Sequence, residues 1–200
     1  SSVYEIIQQI PHFIFPIVGL YLTTIPRLLL MFYNHSRVFQ KVVDEINKQQ
    51  ENMGADEIYN LTYLRKCVLE ILRLNNPVVT TFRTVLKDLK LGDNNFKKGS
   101  QLLILNNPIL RTPSFFKEPD KYIPERWTKD MEQSYYAISF NQGPQMCPAK
   151  ELAIYLVQCF MVNFIKQTGL TRDIRKLKTS KINTNKIGQV INTCNLEFTF

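Results

Sequence analysis

Apolar and polar positions fall into several different periods along this 200-residue chain, and each period predicts a different element. Residues 13 to 33 are apolar almost throughout and lead into HSRVFQKVVDEINKQQ, where Val38, Val42, Val43 and Ile46 recur at helical spacing. A long apolar helix followed by an amphipathic one is therefore expected over 1–50. A polar break from Gln49 to Glu57 ends that pair. The stretch NLTYLRKCVLEILRLNNP then offers Asn60 as an N-cap, Leu61, Leu64, Val68, Ile71 and Leu72 as apolar positions, and Pro77 as a stop, which predicts a buried helix over 56–76. Between 77 and 105, short apolar runs (VVTTF, QLLIL) flank LGDNNFKKGS, the pattern of strands and turns in a small β region. Residues 106–146 are rich in proline and show little periodicity, and an irregular segment of that length in a compact domain is either functional or a mistaken assignment. From Leu152 to Ile165 there is no charge, which predicts a core helix hydrophobic all round. The chain closes on an alternating stretch, NLEFTF, read as part of a C-terminal β hairpin within 147–200. The sum is one partial domain over 1–200, mainly α with small β-sheets, an α+β arrangement.

Composition changes this picture little. With 44% hydrophobic and 21% charged residues the chain can bury a real core. The net charge of +8 is spread along the chain rather than massed. Such a balance favours acidic partners or anionic membrane surfaces, and nothing in it points to nucleic acid. The uncharged run from Ile6 to Pro26 is long enough for a membrane span. Pro11, Pro16 and Pro26, with a Gln pair and a Thr pair, favour a buried, kinked helix instead, and membrane association stays open. Cys67, Cys147, Cys159 and Cys194 form no Cys-x-x-Cys pair and are joined only by His12 and His35. A zinc site is not expected, disulfides are not required, and the better reading is an intracellular, reducing compartment.

The chemistry concentrates at SFNQGPQMCPAKELA, residues 139–153. Cys147 precedes Pro148, and proline favours the first helical position, so the thiol is expected at a helix N-terminus, where unpaired N–H groups favour a thiolate. Such a thiolate can be a nucleophile or a metal ligand; a cysteine at a helix start can equally be an inert core residue. Glu70 and Arg73 lie one turn apart, either as an exposed ion pair beside Tyr63 and Lys66 or as a buried one that demands full hydrogen bonding. In Pro124-Glu125-Arg126-Trp127, a guanidinium could complete the fork of Glu70 and pin the irregular segment to the helix.

Taken in order, Glu-x-x-Arg on a helix, Pro-Glu-Arg-Trp, and Phe140-x-x-Gly143-x-x-x-Cys147 closely resemble the C-terminal half of a cytochrome P450, over roughly residues 13–200. The resemblance implies a heme b cofactor with Cys147 as axial thiolate and metal ligand. It implies that Phe140, Gly143 and Ala149 shape the loop around it, that Arg83 contacts a heme propionate, and that Glu70, Arg73 and Arg126 form a structural salt-bridge triad. Lys150 and its neighbours would lie on the face that receives an acidic redox partner. Some positions depart from the family. Gln145 stands where Arg or His is usual, and Ala149 where glycine is usual. The oxygen-activating site, expected near Pro16 to Tyr21, has no carboxylate between Glu5 and Asp44, leaving Thr23 and Thr24 as the candidate catalytic residues, with helix-interior bonding to backbone carbonyls as their alternative role. Family domains are roughly twice as long, so a missing N-terminal half, a second chain, a larger assembly or a membrane would cover the exposed apolar surface. Two functions follow: a monooxygenase oxidising an apolar small molecule such as a sterol or fatty acid, or a catalytically degenerate descendant serving as a structural or assembly subunit. A thiol enzyme unrelated to heme is a third.

Overall fold

The computed structural model describes residues 2–170, Ile174, and the strand residues 178–179 and 198–199. Helix α1 (Val3–Asn34) opens on a capping box, in which the Ser2 hydroxyl accepts from the Glu5 amide while the Glu5 carboxylate accepts from the Ser2 amide. Pro11, Pro16 and Pro26 stand inside it without ending it. Each removes one backbone N–H, and the helix persists because neighbouring turns keep their own bonds. Its two halves differ sharply in environment. Residues 24 to 32 are buried apart from Pro26, with Leu28 and Phe32 fully so, whereas Ile6, Phe13, Phe15, Val18 and Leu22 are exposed. By length and composition alone α1 could cross a membrane, but its C-terminal third forms part of the core.

Helix α2 (Ser36–Asn47) buries Phe39, Val42, Val43 and Ile46 against the same core. The helix expected over 56–76 is two: a single turn α3 (Ala55–Tyr59), and α4 (Thr62–Leu74). Asn60 is the C-cap of α3, not the N-cap of α4, whose N-cap is Leu61. The cap comes from another helix: the Glu45 carboxylate of α2 accepts from the amides of Tyr63 (2.7 Å) and Leu64 (2.9 Å) and from the Thr62 hydroxyl (3.2 Å). A carboxylate at a helix N-terminus meets both the orphan donors and the dipole, so no local cap is needed.

Strands β1 (Thr80–Thr84) and β4 (Gln101–Leu105) pair antiparallel from Thr80↔Leu105 to Thr84↔Gln101. Between them β2 (Leu89–Leu91) and β3 (Asn94–Phe96) form a hairpin whose turn places Gly92 at φ +56°. The irregular segment that follows contains short helices α5 (Asn106–Ile109) and α6 (Lys129–Gln133) and 3₁₀ turns at Pro124–Arg126, Ile138–Phe140 and Gly143–Gln145.

Helix α7 (Lys150–Thr168) differs from the all-round apolar core helix expected. Ala153, Ile154, Val157, Met161, Val162 and Ile165 are buried, while Leu152 and Phe160 are exposed. Uncharged residues on both faces hid which one the fold covers. Gln158, buried in α7, donates to the carbonyls of Ile58 (3.2 Å) and Leu61 (2.9 Å), satisfying backbone at the junction of α3 and α4. Strand β5 (Lys178–Thr179) pairs antiparallel with β6 (Phe198–Thr199). Most of the expected C-terminal hairpin, and Cys194, lie outside the described residues.

Candidate functional site

Helix α4 carries the site's foundation. Glu70 and Arg73 are both fully buried, which settles the choice between an exposed and a buried pair. The Glu70 carboxylate accepts two bonds from Arg73 (2.9 Å each), one from Arg126 Nε (3.0 Å), one from Trp127 Nε1 (2.9 Å) and one from the Ile123 amide (3.0 Å). Arg73 spends its remaining donors on the carbonyls of Leu110 (2.9 Å), Pro119 (2.7 Å) and Lys121 (3.2 Å), and its guanidinium lies 5.0 Å from the Phe116 ring. Arg126 reaches the carbonyls of Lys117 and Glu118, holding Glu118 at φ +51°. A buried carboxylate with this many donors is fully compensated, and the irregular segment becomes a fixed wrap around α4.

That wrap delivers the cysteine loop. The Gln142 side-chain amide donates to the carbonyls of Glu132 (3.4 Å), Ser134 (3.2 Å) and Ala137 (3.2 Å). Asn141 takes φ +58° and Gly143 φ +72°, two left-handed residues that turn the chain sharply, and the Cys147 amide closes the loop on the Phe140 carbonyl at 2.8 Å. Helix α7 begins at Lys150, with Ala149 as its N-cap, so Pro148 precedes the helix instead of opening it. The Lys150 amide returns to the Cys147 carbonyl at 3.3 Å, a turn that leads into α7.

Between this loop and α1 lies a cavity of about 270 Å³. One wall is Pro16, Ile17 and Leu20 of α1; the other includes Phe140, Cys147 and Ala149, with Ala153 of α7 beyond. Asn106 lines its edge, tied to the Thr81 hydroxyl (3.0 Å) and the Val78 carbonyl (2.8 Å). Ser139 also lines it, and its buried hydroxyl makes no hydrogen bond. Ser139 carried no signal in the sequence, because an isolated serine is unremarkable until its surroundings are known.

The expected residues divide into those that converge on this cavity and those that do not. Cys147, Phe140 and Ala149 line it; Gly143 shapes the loop from its exposed side. Arg83, half-buried on β1, is not among the lining residues, and its guanidinium bonds to the Phe82 carbonyl at 2.8 Å. Thr23 and Thr24 do not line it either: the Thr23 hydroxyl donates to the carbonyls of Gly19 (2.8 Å) and Leu20 (3.2 Å), and Thr24 is buried. Thr23 thus makes the helix-interior bonds that were the alternative to a catalytic role. The Lys150 ammonium pairs with Glu132 at 2.9 Å, and its side chain is 14% exposed. Cys67 is fully buried in α4, and burial pushes its thiol up, away from reactivity. Among the described residues no cluster of His, Cys, Asp and Glu could hold a metal ion by itself.

A sequence model of the cytochrome P450 family matches residues 9–193. The chain belongs to the cytochrome P450 family. It is 30% identical over 128 residues to a beta-amyrin 28-monooxygenase of Saponaria officinalis, covering 64% of this chain and 26% of that protein. It is 32% identical over 152 residues to the mitochondrial 1,25-dihydroxyvitamin D(3) 24-hydroxylase of Mus musculus, covering 70% and 29% respectively. The chain therefore matches less than a third of the length of these P450 relatives. Among solved structures it is similar in fold to the heme domain of cytochrome P450DA, with a TM-score of 0.65 at 18% identity, over 80% of this chain and 35% of that one. The mainly helical fold with small sheets is thus that of a P450 heme domain in part.

Proposed function

We propose that this chain is the cysteine-bearing part of a heme-thiolate monooxygenase acting on an apolar small molecule, with Cys147 as the residue whose sulfur would hold heme b. The observation that carries the reading is that Cys147 lines an apolar cavity facing α1. The surroundings fit the group: a soft sulfur donor on one wall, aliphatic and aromatic side chains around it, and an unpartnered Ser139 hydroxyl. When bound, heme held by a thiolate would supply oxygen-activating redox chemistry. The chain's own residues do the rest. Phe140 holds the Cys147 amide at 2.8 Å through its carbonyl, which fixes the loop that presents the sulfur. Pro16, Ile17 and Leu20 supply an apolar wall opposite. Glu70, Arg73 and Arg126 keep the wrap that carries the loop in register.

The relatives' named substrates, beta-amyrin and a dihydroxyvitamin D, are both large and apolar, which supports a sterol- or triterpene-like substrate here. An acidic redox partner, an intracellular site and membrane association belong to the same reading. Exposed Ile6, Phe13, Phe15 and Val18 on α1 support a further covering element, whether the remainder of a P450 fold, a second chain or a lipid surface.

A second reading, a catalytically degenerate subunit that keeps the scaffold, is favoured by two observations: α1 offers no carboxylate from residue 6 to its end, and the Thr23 hydroxyl is spent on its own helix. The reduced, carbon-monoxide-treated spectrum separates the two. Wild type is expected to show the red-shifted Soret band of thiolate ligation and Cys147→Ala to lose it. Protein that takes up no heme on reconstitution refutes the enzyme reading and leaves the scaffold one.

A further inference from the structure

The cysteine loop is gripped at both ends by one cluster of four charges that the salt-bridge triad does not include. Arg65, near the start of α4, forks onto two carboxylates. Its Nη1 and Nη2 reach Glu151 at 2.8 and 3.0 Å, its Nε reaches Glu132 at 3.3 Å, and its Nη2 also bonds Glu132 Oε1. Lys150 completes the cluster on Glu132 at 2.9 Å, and the Tyr59 hydroxyl donates to Glu151 at 3.2 Å. Three of the four side chains are mostly shielded, Arg65 at 18%, Glu132 at 19% and Lys150 at 14% exposure. Burial raises the Glu132 carboxyl, but bonds from Arg65 and Lys150 outweigh it and hold it below the usual range; Arg65 likewise holds Glu151 low.

What this cluster touches gives it a role. Downstream of the thiol, Lys150 and Glu151 are the first two residues of α7, three and four positions past Cys147. Upstream, Glu132 belongs to α6, and the carbonyl of the same residue receives Gln142 of the loop. Behind the loop, a void of only about 10 Å³ separates Ser139 and Phe140 from Glu132, Lys150 and Trp127, too little for more than one water. A shift of the cluster therefore has little slack to absorb it before the loop moves.

We infer that Arg65 and Glu132 are positioning residues for the Cys147 thiol, fixing both ends of its loop to α4 and so setting its place against the cavity. The consequence for cofactor ligation rests on the heme reading; the positioning itself does not.

The test is made first on heme-free protein. The rate at which iodoacetamide alkylates Cys147 is measured by mass spectrometry, with Cys67 in the same sample as a reporter of global opening. Arg65→Met and the isosteric Glu132→Gln are each expected to speed Cys147 labelling about tenfold, equivalent to ~1.4 kcal/mol of local opening, with Cys67 unchanged. Arg65→Lys, a point charge that cannot fork onto both carboxylates, is expected to rescue in part. Unchanged Cys147 labelling in both Arg65→Met and Glu132→Gln overturns the inference, as does a rise matched by Cys67, which marks general destabilisation. After hemin addition, the same variants are expected to lose part of the red-shifted Soret band that wild type shows. Local labelling changes in protein that never binds heme support the brace and sink the cofactor reading. Full Soret bands with unchanged labelling sink the brace alone.

Discussion

Truncating Glu70 to alanine removes the acceptor of five hydrogen bonds and leaves Arg73, a guanidinium with no solvent exposure, among carbonyls and the Phe116 ring with no counter-charge. Breaking a buried ion pair from one side costs about 3–5 kcal/mol, because the remaining charge is uncompensated. Arg73 keeps the carbonyls of Leu110, Pro119 and Lys121, which argues against a cost beyond that range. The Trp127 and Ile123 donors also lose their acceptor, which argues against a smaller one. We expect a loss of about 4 kcal/mol, a large part of the ~5–15 kcal/mol that holds a domain of this kind together. Urea denaturation followed by circular dichroism should move the midpoint down by about 2 M if the slope is ~2 kcal/mol/M. Arg73→Met is expected to cost less, since Glu70 retains Arg126, Trp127 and Ile123. A double variant, Glu70→Leu with Arg73→Met, should recover part of the loss by leaving no fully buried charge on α4. A Glu70→Ala midpoint within about 0.5 M of wild type would refute the reasoning, as would a double variant worse than the sum of the singles.

Glu45→Ala should cost about 1 kcal/mol through loss of the cap on α4, read as a lower urea midpoint; Asn60→Ala, outside α4, should change it far less. His35 is half-buried with its ring centroid 5.4 Å from that of Tyr122, and burial lowers its pKa. The unfolded chain then binds the proton more readily than the folded one, so stability falls as pH drops below about 6.5 toward the folded value. His35→Gln should flatten this slope between pH 6.5 and 5, and an unchanged slope would assign it elsewhere; exposed His12 is common to both proteins and cancels in the comparison.

Much of the architecture follows from local pattern. The helical spacing of Val42, Val43 and Ile46, and of Leu64, Val68 and Ile71, predicts the faces that are buried, because a 3.6-residue period leaves one stripe to cover. The ordered motifs around Glu70, Arg126 and Cys147 likewise marked the family from residues alone. Where the pattern was uniform, it could not choose. The uncharged run in α7 did not say which face meets the core, nor the one in α1 where burial begins; both depend on which neighbouring elements reach them.

What only the tertiary structure decided is the partnership of charges and caps across long stretches of chain. Glu45 caps a helix 18 residues away, Arg65 joins α4 to residues 67 and 86 positions further on, and Lys150 pairs with Glu132. Sequence spacing registers charges three or four residues apart on one helix, since those share a face in any context. A carboxylate meeting a distant amide or guanidinium has no such signature. Its partner is set by how α2, α4, α6 and α7 stack, and that stacking is fixed by the core they bury together.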